Sequence, residues 1–232
     1  MEYYLGTIIN FFLIIVGSLL GIILCNWFPK NVNQTVMYGL ALATAMLGIQ
    51  MGIKSENMIL VILSIVIGAV SGELIGIQRF FDRIGALLQK KFSKKNDKSN
   101  NFTKGFVSTS LLFCVGPMAI MGSVENGLTG NYTLLLTKSI MDGFASIAFA
   151  SSLGIGVLFS SFTVLLYQGT LTMLAELVKN ILTDDVVREM TATGGILMIG
   201  LALNILGIRK VKVGNLLPAL FIVVILKIFF FK

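Results

Sequence analysis

The chain has 232 residues, 56% of them hydrophobic and 12% charged, with a formal net charge of +7 and no histidine. A soluble domain carries about 25% charged residues, so this balance, with a mean hydropathy of +0.90, points away from a soluble fold and towards an integral membrane protein. The missing histidine leaves no Ser–His catalysis and no histidine-ligated zinc.

Uncharged runs lie between Glu2 and Lys30, Lys30 and Lys54, Glu56 and Glu73, Lys104 and Glu125, Asp142 and Glu176, Glu189 and Arg209, and Lys212 and Lys227. A helix crosses the hydrocarbon core with about 20 apolar residues, and about 17 suffice. The run after Asp142 is too long for one crossing, and splitting it at Phe159–Ser161 gives eight expected spans: Leu5–Trp27, Val36–Ile53, Asn57–Ile77, Gly105–Ser123, Leu134–Leu158, Phe162–Leu182, Met190–Ile208 and Val213–Phe230. The expected fold is an all-α polytopic transmembrane bundle. The fourth and sixth segments could instead be re-entrant. The first segment is too long for a removable signal peptide and lacks a basic leader and a cleavage site.

From Glu73 onward, Leu74, Ile77, Phe80, Phe81, Ile84, Leu87, Leu88 and Phe92 recur at steps of three and four. Such spacing predicts an amphipathic helix, lying on the cytoplasmic leaflet or packed on the protein's own inner loops. Glu73 would face the inner interface, solvated or paired with a nearby arginine. The polar, basic stretch 93–104 then divides an N-terminal three-helix unit (1–92) from a C-terminal five-helix unit (105–232).

With an external N-terminus, the inner loops hold Lys30, then Arg79, Arg83, Lys90, Lys91, Lys94, Lys95, Lys98 and Lys104, then Arg209, Lys210 and Lys212. The outer side holds Lys54, Lys179, Arg188, Lys227 and Lys232. Lysine and arginine bias sets orientation, so both termini are expected outside a cell (inner) membrane. The positive charge is then topological, with attraction to anionic lipid at the inner loops, and no nucleic-acid partner is expected. Cys25 and Cys114 lack metal-ligand spacing, so neither a disulfide nor a metal is expected.

The fourth span carries Gly116-Pro117. Proline cannot donate a backbone hydrogen bond and clashes with the preceding turn, so the helix should kink or break there. Carbonyls near Phe113–Val115 would be freed and the N-terminus of a half-helix created, features that hold ions in broken transporter helices. Alternatively, Ser108, Thr109 or Ser110 satisfy the freed groups and the kink serves packing.

In the fifth span Lys138 and Asp142 share one helix face, flanked by Ser139 and Ser146. Charges at membrane depth cost about 2.5–3.5 kcal/mol each on insertion scales, which makes them candidates for function. Lys138 could snorkel, whereas Asp142 sits deeper, as counter-ion to Lys138 or as a carrier of a proton or cation. A static pair that fixes packing is the structural alternative. Asn10, Gln50 and Asn204 are polar at membrane depth and either line a pathway or bond across helices. Gly17, Gly21, Gly68, Gly72, Gly194, Gly195 and Gly200 read as close helix packing.

Met46-Leu47-Gly48-Ile49 followed by Asn57 matches Ile205-Leu206-Gly207-Ile208 followed by Asn215. In the expected topology the first hairpin turns outside and the second inside, which suggests an inverted 3+2+3 plan.

The strings Phe106-Val-Ser-Thr-Ser-Leu-Leu-Phe-Cys-Val-Gly-Pro-Met-Ala-Ile-Met-Gly122 and Leu136-Thr-Lys-Ser-Ile-Met-Asp-Gly143 carry a resemblance, together with Gly154-Ile-Gly-Val-Leu158, Tyr167-Gln-Gly169, Asn215-Leu-Leu-Pro-Ala219, Gly6-Thr-Ile-Ile-Asn10 and Gly72-Glu-Leu-Ile-Gly76. They resemble the prokaryotic membrane family catalogued as domain of unknown function 554. The resemblance implies one multi-spanning fold over nearly the whole chain and a candidate transport role, without a substrate.

Two functions are weighed. A secondary transporter or ion-conducting protein for a small ion or solute predicts a polar cavity near Asp142 and Gly116. A non-transporting membrane partner, regulatory or for assembly, predicts a dry bundle with Lys138 closed on Asp142. An enzyme is not expected: Asp142 has no second deep aspartate beside it and no phosphate-binding glycine loop is evident. No cofactor is expected, and a homo-oligomer is.

Overall fold

The computed structural model describes residues 2–25, 30–92 and 101–230. Among them the chain is all-helical: α1 Leu5–Cys25, α2 Lys30–Gly52, α3 Met58–Ile75, α4 Ile77–Phe92, α5 Asn101–Val115, α6 Pro117–Thr129, α7 Thr133–Leu153, α8 Gly156–Met173, α9 Ala175–Val178, α10 Asp184–Leu206 and α11 Ala219–Phe230. Seven segments are long and apolar enough to cross a membrane, or eight if the bent pair α5–α6 counts as one. The end of the first expected span (26–27) and most of the basic linker (93–100) lie outside the described residues.

Of the boundaries that differ from expectation, three are informative. The long apolar run turns at Gly154, whose φ of +74° suits a residue without a Cβ, and not at Phe159–Ser161. The sixth span stops at Met173 and passes into the short α9. The seventh begins at Asp184, six residues before Met190, because acidic residues are favourable in a first helical turn and need not lie outside the helix. Gly76, also in the left-handed region at φ +77°, separates α3 from the amphipathic α4.

The helices form two compact units. Unit 1 combines Met1–Leu40 with Asp82–Glu176. Its axis is the pair α1 and α7. A Cβ on Gly6 would lie 2.8 Å from Leu135, one on Gly17 2.3 Å from the Gly143 carbonyl oxygen, and one on Gly21 2.3 Å from that of Ile147. Positions that rise together on both helices make the pair parallel. Only residues without a Cβ permit so close an approach.

The bent pair follows α8 from end to end. A Cβ on Gly156 would lie 2.1 Å from the Phe102 carbonyl oxygen, and one on Gly127 2.3 Å from that of Thr172. So α5 starts beside the α7–α8 turn and α6 finishes beside the far end of α8. A re-entrant loop would return to the end it started from; this pair does not. Its 60° bend falls between Val115 and Pro117.

Polar residues face inward in unit 1. On α7, Lys138, Ser139, Asp142 and Ser146 are buried while Met141 and Phe144 are exposed. On α8, Ser160, Ser161, Gln168 and Thr172 are buried while Phe162, Leu166 and Met173 are exposed. An apolar exterior around a polar interior suits lipid as solvent.

Unit 2 combines Ala41–Phe81 with Leu177–Lys232. A Cβ on Gly48 would meet Gly195 and Ile199, one on Gly195 would meet Met51 and Gly52, one on Gly68 Ala219 and one on Gly72 Asn215. These pairs set α2 antiparallel to α10 and α3 antiparallel to α11. Both ends of the unit are pinned. At one, Glu189, 1% exposed, accepts from Ser55 Oγ (2.7 Å) and the Glu56 and Asn57 amides (3.0 and 3.3 Å) at the start of α3. At the other, Glu73 accepts from Lys212 Nζ and Asn215 Nδ2, both at 2.6 Å. Glu73 is thus both half-solvated and paired, with a lysine that the chain after α10 delivers in place of an arginine.

Candidate functional site

The site is built in unit 1 from α1, α7 and α8. Lys138 and Asp142 lie one turn apart on the inner face of α7. Lys138 Nζ donates to Asp142 Oδ1 at 2.6 Å and to Oδ2 at 2.7 Å. Both residues are buried, at 7% and 5% exposure. Asn10, on the buried face of α1, donates through Nδ2 to Asp142 Oδ2 (3.1 Å) and to Gln168 Oε1 on α8 (3.2 Å). Phe113, at the end of α5, sets its ring face 5.7 Å from Lys138 Nζ, within cation–π range. Four helices thus converge on one pair of opposite charges.

The network is not saturated. Asn10 Oδ1 and Gln168 Nε2 have no partner, although both residues are fully buried, and neither do the hydroxyls of Thr7, Ser18, Ser146 and Thr172. An amide that donates to two acceptors leaves its own oxygen unused, and the geometry here leaves one free acceptor and one free donor on neighbouring helices. Such groups cost about 1–3 kcal/mol each when left dry.

Of the residues singled out in the sequence, Asn10, Lys138 and Asp142 come together directly. Ser139 and Ser146 share their α7 face, but Ser139 is bound to the Leu135 carbonyl (2.6 Å). Gly116 and Pro117 form the break, with Pro117 at the first position of α6. Gly116 has φ −70° and ψ 147°, and nothing lies within 4 Å of a Cβ built on it, so it is not needed there for conformational freedom. Proline alone supplies the break, by leaving the Phe113 carbonyl without an N–H four residues on. The nearby hydroxyls turn elsewhere: Thr109 to the Gly105 carbonyl and Ser110 to Thr163 Oγ1. Asn204 stands apart in unit 2, where it clasps Val211 through both backbone groups (2.6 and 2.7 Å) at the end of α10. Gln50 is exposed. Gln168 was not among the expected site residues. Its signal is a lone amide inside an apolar span, the feature that Asn10 shares.

Apolar exteriors, helices of membrane length and a buried ion pair define an integral, polytopic helical membrane protein. The chain belongs to the family described as "Protein of unknown function (DUF554)", whose model matches residues 5–228. It is 36% identical over 221 residues to the "Uncharacterized membrane protein YdfK" of Bacillus subtilis (strain 168), covering 94% of this chain and 93% of that protein. It is 31% identical over 218 residues to the "Uncharacterized protein YqgA" of Escherichia coli (strain K12), covering 93% of each. No solved structure matches it.

Proposed function

We propose that the chain is a secondary transporter or ion-conducting protein that moves a small ion or solute along a path through unit 1. One observation carries the reading: the buried Lys138–Asp142 pair sits among fully buried polar atoms that have no protein partner, beside a broken helix. A membrane interior keeps charges where a pathway or a coupling site needs them, and broken helices mark such sites in transporters. In this reading the closed Lys138–Asp142 pair belongs to an occluded state. Neither enzymatic activity nor a nucleotide-driven step is part of the reading.

The proposed setting is the cell membrane. In this reading the parallel α1 and α7 are the first and fifth of eight crossings, both termini lie on one side, and the lysine and arginine bias supports that side being the outside. Anionic lipid would meet the basic inner loops, and the exposed apolar faces suit a homo-oligomer.

A second reading, a non-transporting regulatory or assembly partner, is favoured by the closure of Lys138 on both oxygens of Asp142. Gradient-driven flux in proteoliposomes separates the two. Solute movement above that of empty vesicles supports the transporter; its absence with folded, inserted protein under proton, sodium, potassium and chloride gradients supports the partner.

A further inference from the structure

The unpartnered polar atoms of unit 1 fall into two groups. Thr7 and Asn10 on α1 and Gln168 and Thr172 on α8 belong to the first, which adjoins Asp142. Ser18 on α1 and Ser146 on α7 belong to the second, two turns further along α1, at the level that the α1–α8 register gives to the buried Ser160 and Ser161, whose hydroxyls donate to the Val157 and Leu158 carbonyls. Between them lies a single apolar layer. Ile14, Phe113 and Val164 are in contact and at most 1% exposed, with Cys114 and Ala145 packed against them.

The register along each helix is regular. Asn10, Ile14 and Ser18 succeed one another at one-turn steps on α1, as Gln168, Val164 and Ser160/Ser161 do on α8. One turn is about 5.4 Å, so the apolar layer is one side chain thick. Six dry orphans would together cost about 6–18 kcal/mol at 1–3 kcal/mol each, as much as the whole stability of a typical domain. Buried water is the usual remedy for such groups.

We infer that Ile14, Phe113 and Val164 are a gate between two water-holding compartments of one path, and that the species crossing it is a proton carried on that water. The inference rests on the transport reading and adds the gate and the class of cargo. The chemistry of the compartments supports this cargo. Their groups are hydroxyls and amides, able to donate and accept in a chain, and the one charged pair is already neutral in sum. Phe113 is the movable member of the layer. It ends α5 next to the Pro117 break, and its carbonyl lacks the i+4 bond that would stiffen the last turn. Its ring also covers Lys138 Nζ, so withdrawing Phe113 opens the layer and uncovers the ion pair together.

The test is the proton leak of proteoliposomes that enclose a pH-sensitive dye, measured after an external pH jump. Phe113→Ala is expected to raise the leak at least tenfold over wild type, and Asp142→Asn in the same background to return it to within about threefold. Phe144→Ala, on the exposed face of α7, should leave it unchanged. If Phe113→Ala does not fold, Val164→Ala and Ile14→Ala open the same layer. A wild-type leak rate in every folded gate variant overturns the gate. A raised leak that Asp142→Asn does not reduce overturns the path past the carboxylate. Gradient-driven flux by wild type without any leak in the variants leaves the transport reading standing while the gate falls. A leak in the variants without flux in wild type supports the gate and removes the transport reading.

Discussion

Removing Asp142 and Lys138 one at a time and then together gives a quantitative check on the site. Asp142 accepts three hydrogen bonds, two from Lys138 and one from Asn10. Either single substitution, Lys138→Met or Asp142→Leu, strands the opposite charge in a buried position. Breaking a buried pair in this way costs about 3–5 kcal/mol. For a chain of this size 1 kcal/mol moves Tm by about 2–4 °C, so each single variant should unfold about 6–20 °C below wild type. The double variant removes the attraction and the desolvation penalty together, and such replacements are often neutral or stabilising. Its Tm should therefore lie near that of wild type, with a coupling energy of about 6–10 kcal/mol, the sum of the two single losses. Thermal unfolding in detergent, followed by tryptophan or a thiol-reactive dye, measures all four corners. If the double variant loses the sum of the two singles, the residues do not act as a buried pair and the site as described is wrong.

Other substitutions probe the fold around that pair. Gly17→Val should destabilise by about 1–3 kcal/mol through overpacking against Gly143, whereas Gly39→Ala, with open space around it, should be neutral or slightly stabilising in the same thermal assay. Glu189→Gln should cost about 1–3 kcal/mol at the start of α3 and leave any solute flux per folded molecule unchanged. Pro117→Ala restores the missing N–H and should straighten α5–α6. For helices of 15 and 13 residues bent by 60°, straightening lengthens the pair by about 5 Å, which spin labels at Thr103 and Thr129 would register as a longer distance. An unchanged distance would mean that neighbouring helices, and not proline, impose the bend.

The membrane fold was legible because lipid imposes a length and forbids unpaired charge, so uncharged runs bounded by Lys, Arg, Asp and Glu mark the spans. The same rule failed where charge gives no boundary. Between Asp142 and Glu176 the turn at Gly154 is set by a left-handed backbone conformation, and glycine is common enough in packed membrane helices to hide it. Glu189 acts in the opposite sense: a charge that reads as the edge of a span, it is a fully buried carboxylate inside α10, satisfied by the start of a helix distant in sequence. Pairing across 132 to 134 residues cannot be read from local pattern. The same holds for the site. Lys138 and Asp142 announce themselves by i,i+4 spacing, but the partnership of Asn10 with Gln168, 158 residues apart, needs the antiparallel packing of α1 on α8.

Charge movement in proteoliposomes tests the central claim most directly, with wild type compared to Asp142→Asn under imposed proton, sodium, potassium and chloride gradients. The account predicts an ion-dependent current in wild type that is lost in folded, inserted Asp142→Asn. A current that survives the substitution would contradict it, by separating transport from the buried carboxylate.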